Sequence, residues 1–65
     1  MRIDSIRIRL LMAEQEITQS ILAERCGISR QNVSQVLARG TCLPIKANKL
    51  AKALGVDVRE IIKED

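Results

Sequence analysis

The sequence contains no aromatic residue and no histidine. Proteins that recognise RNA loops or single strands stack the bases on aromatic rings, so this mode of recognition is disfavoured. Catalysis is disfavoured as well, because the chain has no histidine, no glycine-rich phosphate loop and no nucleophile beside a base. A chain of 65 residues also leaves little room for a pocket, so we do not expect an enzyme.

Cysteines are few, and long apolar runs are missing. Without histidine, Cys26 and Cys42 cannot supply four zinc ligands, and we expect no metal, no cofactor and no internal disulfide. Cys26 falls on an inward helical position, whereas Cys42 lies in a connection as a free, partly exposed thiol. No run approaches the length of a membrane span, and the N-terminus has no signal-peptide core. These features predict a cytoplasmic protein without membrane contact.

Acidic residues are absent from the middle of the chain. The net charge is only +3, but every charged residue between Arg25 and Val56 is basic. These residues are Arg25, Arg30, Arg39, Lys46, Lys49 and Lys52. Such a segment is either a surface that binds an anionic polymer such as nucleic acid or a solvated helical face.

The core must be built from aliphatic side chains, which suits short helices packed closely together. We expect one all-α domain over residues 1–65, a compact bundle of five short helices. The first lies within residues 1–16 and is capped by Asp4 or Ser5, because its length outweighs a strand-like alternation at residues 6–10. The other four are expected at residues 19–26, 30–39, 45–54 and 58–63. Asp57 and Glu60 form a capping-box pattern at the start of the last.

Residues 19–38 carry the most informative pattern. Their apolar side chains have the spacing expected on the inner side of two steeply crossing helices; these are Leu22, Cys26, Ile28, Val33 and Val36. Ala23 is small where the crossing is tightest, Gly27 can adopt the positive φ that the turn needs, and Ser29 can cap the second helix. The pattern is typical of a DNA-binding helix-turn-helix.

The second helix of this motif presents polar side chains outward. Arg30, Gln31, Ser34 and Gln35 can donate to or accept from base edges, so they are the candidate base-reading residues. Arginine suits guanine O6 and N7, and glutamine suits adenine N6 and N7. Alternatively, Arg30 clamps a phosphate and Ser34 makes no contact.

The first helix has two apolar stripes when it is plotted at 100° per residue. One contains Ile8, Leu11 and Met12, and the other contains Ile3, Ile6, Leu10 and Ala13. A lone surface helix needs only one apolar face, so the second stripe needs a cover. That cover is either the rest of the domain, another protein or a second copy of this chain.

The order of these motifs resembles the phage repressor and Cro family, also called the XRE family, over about residues 6–62. The resemblance rests on Ile17-Thr-Gln19, Leu22-Ala23, Gly27-Ile-Ser-Arg30, Val33-Ser-Gln35 and Leu50-Ala-Lys-Ala-Leu-Gly-Val56. It implies a lambda-repressor-like fold and a transcriptional regulator of phage or mobile-element origin that reads duplex DNA with helix three. Because a single domain reads few base pairs, we expect a homodimer on a palindromic operator. With no second domain, we expect no small-molecule ligand.

The family pattern also implies roles for individual residues. The first residue of helix two, here Gln19, clamps a phosphate and supports the recognition helix, and the base-reading positions fall on Arg30, Gln31, Ser34 and Gln35. Phosphate contacts fix the register on the duplex without reading its sequence. The candidates for this role are Gln19, Ser29, Asn32, Arg39, Lys46, Asn48 and Lys49.

Several positions depart from the family pattern. Met12 and Leu37 replace an arginine and a glutamate that pair inside many members, and because both are apolar no charge is left unpaired. Glu16 stands where the family has a glycine at the end of helix one. The glycine that ends helix three comes one residue late, and the connection after it is about two residues shorter. This leaves open which of residues 41–49 contact phosphate.

The sequence is also compatible with two alternative functions. Ile6 and Leu10 are usually polar in the family, and as apolar residues they suit a protein-interaction module, such as an antirepressor or an antitoxin partner, that no longer binds DNA. Residues 27–37 also suit a LacI-type headpiece, although that motif opens its domain and here a full helix precedes it. The polar residues kept at 30, 31 and 35 favour DNA binding.

Overall fold

Residues 1–63 fold into four α helices followed by one 3-10 turn. The structure is a computed structural model that describes residues 1–63; the fraying predicted for Glu64 and Asp65 lies outside the described residues. The elements are α1 (Ser5–Gln15), α2 (Gln19–Cys26), α3 (Arg30–Arg39), α4 (Pro44–Leu54) and the 3-10 turn (Val58–Glu60). No β-strand occurs within residues 1–63. The predicted all-α class is confirmed.

The first three helices begin where their capping residues predict. The side-chain oxygens of Asp4, Thr18 and Ser29 each accept a hydrogen bond from a backbone N–H in the first turn of α1, α2 and α3. α4 starts at Pro44, one residue earlier than predicted, with the proline in its first turn, where no N–H partner is required. Capping depends on neighbouring residues, which is why the sequence predicts these starts well.

The predicted fifth helix over residues 58–63 is wrong. Only the 3-10 turn Val58–Glu60 forms, and the carboxylate of Asp57 caps it by accepting from the N–H of Arg59 at 2.8 Å. Within residues 1–63, no hydrogen bond joins the Glu60 side chain to Asp57, so the expected capping box does not form. The chain then leaves the helical path, and the N–H of Lys63 donates to the carbonyl oxygen of Arg2 at 3.0 Å. The last described residues therefore pair with the N-terminus.

The N-terminal segment, residues 1–4, lies between two other parts of the chain. The N–H of Ile3 donates to the carbonyl oxygen of Gly40 at 2.9 Å, and the N–H of Asp4 donates to that of Ile61 at 2.7 Å. Ile3 is buried at 3% exposure and precedes α1, so it does not belong to the second apolar stripe of that helix. The stripe is reduced to Ile6 and Leu10, with exposed Ala13 beside them.

The core is aliphatic and is centred on α2. This helix packs against α3 and α4, and the 3-10 turn packs against α4. The largest fully buried side chains are Ile8, Leu22, Val33, Leu50 and Ile61. Met12 and Leu37 are both buried, and within residues 1–63 no polar or charged residue is buried. These two positions, where the resemblance implies an ion pair, therefore hold apolar residues in the core, and no charge is left unpaired there.

Candidate nucleic-acid interface

The turn between α2 and α3 has the geometry predicted for the helix-turn-helix. Gly27 adopts φ +73°, and its N–H donates to the carbonyl oxygen of Glu24 at 3.2 Å. The N–H of Ile28 donates to the carbonyl oxygen of Ala23 at 3.1 Å, and the methyl group of Ala23 is 3% exposed. The left-handed glycine thus reverses the chain within three residues and lets α3 pack directly on α2.

α3 places its large apolar side chains and most of its polar side chains on opposite faces. It buries Val33, Val36 and Leu37 against the core, while the four candidate base readers are exposed; these are Arg30, Gln31, Ser34 and Gln35. None of the four side chains forms a hydrogen bond or an ion pair with another residue in the part of the chain that the structure describes. Their donors and acceptors therefore remain available for a ligand.

Two of the candidate phosphate contacts lie at helix N-termini. Gln19 is the half-buried first residue of α2. Ser29 is the N-cap of α3, and its hydroxyl oxygen accepts from the N–H of Asn32 at 3.1 Å, which leaves the hydroxyl hydrogen free to donate. The positive end of each helix dipole points out at these positions, which favours an anion such as a phosphate.

A hydrogen bond joins α3 to α4. Lys46 Nζ donates to Asn32 Oδ1 at 3.0 Å, and both side chains are half-buried. The side chain of Lys46 therefore extends toward α3, whereas Lys49 and Lys52 are exposed. The bond consumes one of the three donors of the ammonium group and none of the donors of the Asn32 amide.

The candidate residues fall into separate groups on the surface. Asn32, Gln35, Arg39 and Lys46 line one depression together with Thr41. Arg30, Gln31 and Ser34 line a neighbouring depression on α3. Asn48 is exposed on α4, and Lys49 lines a different cleft, between α2 and α4, with Arg25 and Lys52. The structure therefore brings most of the predicted contacts together but leaves Lys49 in another group.

Arg25 belongs to the basic segment, but its side chain forms hydrogen bonds within the domain. Its guanidinium Nη1 donates to the carbonyl oxygen of Ala53 at 3.4 Å and to Gln15 Oε1 at 3.5 Å. Gln15 Nε2 in turn donates to the carbonyl oxygen of Leu54 at 2.6 Å. These two side chains cap the C-terminus of α4, where carbonyl groups lack helical partners.

Neither cysteine is arranged for reactivity or for metal binding. Cys26 is buried and its thiol donates to the carbonyl oxygen of Lys49 at 3.7 Å, whereas Cys42 is half-buried. Burial raises the pKa of both thiols above its usual value, although the charge of Lys49 acts against this at Cys26. Residues 1–63 contain no cluster of three or more side chains suited to a metal ion.

Comparison with known families decides the kind of domain. The chain matches the family model of the Cro/C1-type helix-turn-helix DNA-binding domain over residues 7–63. It belongs to that family. The match confirms the resemblance found in the sequence, and it makes this Cro/C1-type chain a DNA-binding regulator of a family that is typically non-enzymatic. Searches of curated proteins and of solved structures gave no significant match.

Two features of this Cro/C1-type domain were not predicted from its sequence. Asn32 and Lys46 were each candidate contacts, but their hydrogen bond joins residues fourteen positions apart, and no local pattern reveals it. Thr41 lines the same depression as Lys46. Its position directly after the glycine that ends α3 was the sequence feature that could have marked it as a candidate contact.

Among residues 1–63, no helix has the length and apolar character needed to cross a membrane.

Proposed function

We propose that this Cro/C1-type domain regulates transcription by placing α3 in the major groove of duplex DNA. The observation that carries the proposal is the exposed polar face of α3, where Arg30, Gln31, Ser34 and Gln35 have no partner in the described part of the chain. Side chains that already satisfy one another would have to break hydrogen bonds before reading a base. Here that cost is absent.

The base contacts follow from the chemistry of each side chain. Gln31 and Gln35 lie four residues apart on one face of α3, and each can bind adenine N6 and N7 with its amide. Arg30 reads guanine O6 and N7 or grips the phosphate beside it, and Ser34 makes a single contact between the two glutamines. Together they cover the few base pairs that one recognition helix reaches.

The phosphate contacts are proposed in three groups. Asn32, Arg39 and Lys46 surround one depression, so they can grip one stretch of backbone next to the recognition helix. Gln19 and Ser29 act through the N-termini of α2 and α3. Asn48 and Lys49 contribute from α4, with Lys49 contributing least because it lines a different cleft.

The proposed regulator acts as a homodimer on a palindromic operator in the cytoplasm. One domain of residues 1–65 reads too few base pairs for useful specificity, and two copies on half-sites one helical turn apart double that number. The Cro/C1-type family match supports an origin as a repressor of a phage or another mobile element.

The test separates base reading from phosphate contact on an operator selected from a random DNA pool. Gln35→Ala should weaken binding to the selected site by about 1–3 kcal/mol and leave binding to random duplexes unchanged. Lys46→Ala should weaken all sequences and reduce the slope of log affinity against log salt by about one. Affinities are measured by fluorescence anisotropy over a range of salt concentrations.

The matched control is Lys52→Ala, which removes the same charge from an exposed position on the same helix, in the cleft that also contains Arg25. It should change the affinity much less than Lys46→Ala does. Equal effects of the two lysine variants would show that Lys46 makes no specific phosphate contact. No effect of Gln35→Ala on the selected site would show that Gln35 does not read a base. Absence of binding to any duplex at low salt would favour the protein-interaction module.

A further inference from the structure

The cleft between α2 and α4, which we call the α2–α4 cleft, carries three cationic side chains. It has a volume of about 550 Å³ and is shallow and open to solvent. No residue of α3 takes part in it, and the lining residues are Arg25, Cys26, Lys49, Lys52 and Ala53. A concave surface lined by charges of one sign focuses the electric field and attracts the opposite charge.

No acidic side chain balances these three cations within the described part of the chain. The ammonium groups of Lys49 and Lys52 form no hydrogen bond or ion pair there, and a spacing of three residues places both on one side of α4. Glu24 precedes Arg25 in the sequence, but it does not line the cleft and forms no ion pair with a described residue. The three cations therefore repel one another until an anion lies between them.

The guanidinium group of Arg25 is held in place but keeps two donors free. Its Nη1 donates to the carbonyl oxygen of Ala53 at 3.4 Å and to Gln15 Oε1 at 3.5 Å. Its Nε and Nη2 have no acceptor among the described residues, and these two donors together can bind one carboxylate through two parallel hydrogen bonds. Because the side chain is already ordered, binding a carboxylate costs less conformational entropy.

The floor of the α2–α4 cleft is formed by small side chains. Cys26 is 8% exposed, its thiol donates to the carbonyl oxygen of Lys49, and Ala53 is half-buried. Sites for small molecules bury most of the ligand surface, which a shallow and open cleft does not do. The cleft suits instead a chain segment in which carboxylates flank an aliphatic side chain that packs over Ala53.

We infer that the α2–α4 cleft is a docking site for an acidic segment of a protein partner. One carboxylate of the segment accepts from Nε and Nη2 of Arg25, and a second lies between the ammonium groups of Lys49 and Lys52. Because the cleft includes no residue of α3, the partner binds without covering the polar face of that helix. The site therefore goes beyond the proposed reading of DNA.

The experiment is an NMR titration of the complete, isotope-labelled chain at low salt, without DNA. The probe is the peptide Gly-Glu-Leu-Glu-Glu-Leu-Gly, and the control peptide has glutamine in place of each glutamate. We expect the backbone amides of the cleft residues to shift with a dissociation constant of about 1 mM or less, while those of Arg30 and Gln31 stay unchanged. The control peptide should cause no shift, and salt at about 0.5 M should abolish binding because it screens exposed charges.

Charge variants test whether the peptide binds in the cleft. Lys52→Glu should weaken peptide binding at least about fivefold, because it places a carboxylate where the carboxylate of the peptide binds. Arg9→Glu is the matched control and should change the dissociation constant less than about twofold. Arg9 is exposed on α1, has no partner in the described part of the chain, and its substitution changes the net charge by the same amount.

Arg25→Lys tests the paired hydrogen bonds, because it keeps the charge but removes the two parallel donors. It should weaken peptide binding about threefold. Circular dichroism of each variant checks that the helices are intact.

Equal weakening by Lys52→Glu and Arg9→Glu would overturn the inference, since the attraction would then depend on net charge alone. So would equal shifts with the two peptides, or no shift with either. If a random DNA duplex or sodium pyrophosphate displaced the peptide from the cleft amides at equal concentration, the cleft would be a site for DNA or for small anions instead. The peptide titration contains no DNA, so its failure is distinct from a failure of the proposed function.

Discussion

The residue Glu16 has an unfavourable backbone conformation. It ends α1 at φ 56°, in the left-handed region, and is the one residue other than glycine among residues 1–63 with a positive φ. Its N–H still donates to the carbonyl oxygens of Ala13 and Met12, so the helix end is capped despite the missing glycine. The conformation costs about 1–2 kcal/mol for a residue with a Cβ.

Replacing this residue by glycine should therefore stabilise the domain. We expect Glu16→Gly to raise the free energy of unfolding by about 0.5–1 kcal/mol, since the relief of strain exceeds the added freedom of the unfolded chain. Gly27→Ala is the opposite control and should cost about 1 kcal/mol; an added Cβ there meets nothing within 4 Å, so only the backbone conformation is penalised. Urea denaturation of dilute protein measures both. If Glu16→Gly instead lowered the free energy of unfolding, the backbone of Glu16 would not be strained in the folded protein.

The helices of this domain are joined by side-chain contacts that cannot be predicted from the sequence of each helix. Lys46 connects α4 to α3 through Asn32, and Gln15 and Arg25 connect α1 and α2 to the end of α4. The starts, stops and buried faces of α2, α3 and α4 were predictable, because caps and periodicity depend on residues at most four positions apart. The contacts between helices were not, because they depend on how whole helices pack.

The cap that Gln15 supplies to α4 should be measurable as stability. Gln15→Ala removes the donor to the carbonyl oxygen of Leu54, at 2.6 Å, and should lower the free energy of unfolding by about 1 kcal/mol. Ser20→Ala, at an exposed position on α2, should change it by less than about 0.5 kcal/mol. DNA affinity should be the same in both variants when it is measured well below the melting temperature. Equal stability of the two variants would mean that water satisfies this carbonyl group equally well.

At the scale of the whole molecule, the N-terminal segment links two distant parts of the chain by backbone hydrogen bonds. Residues 1–4 form backbone hydrogen bonds with residues 40–42 and 61–63, so the two ends of the described chain meet beside the end of α3. Ser5 adds a further link, since its hydroxyl donates to the carbonyl oxygen of Leu37 at 2.7 Å. This closure places Ile3 in the core and explains why the predicted fifth helix stops after one turn.

Ile3 should consequently be far more important for stability than Ile6, although the two are three residues apart. Ile3→Ala should cost about 2–4 kcal/mol, because Ile3 is 3% exposed, whereas Ile6→Ala should cost less than about 0.5 kcal/mol at 71% exposure. Because a domain of 65 residues is marginally stable, Ile3→Val is included, with an expected loss of about 1 kcal/mol. Thermal unfolding of dilute protein compares the three. Equal losses at residues 3 and 6 would place residues 1–4 outside the core.

The sequence alone determined the local features of this protein: the helix caps, the left-handed turn at Gly27, the buried faces of α2 to α4 and the polar face of α3. Each results from residues within one or two helical turns, where sterics and hydrogen bonding decide the outcome. The tertiary structure decided the rest, namely the burial of Ile3, the single turn after Asp57 and the inward position of Lys46. These depend on backbone and side-chain groups far apart in the sequence, which meet only when the helices have packed.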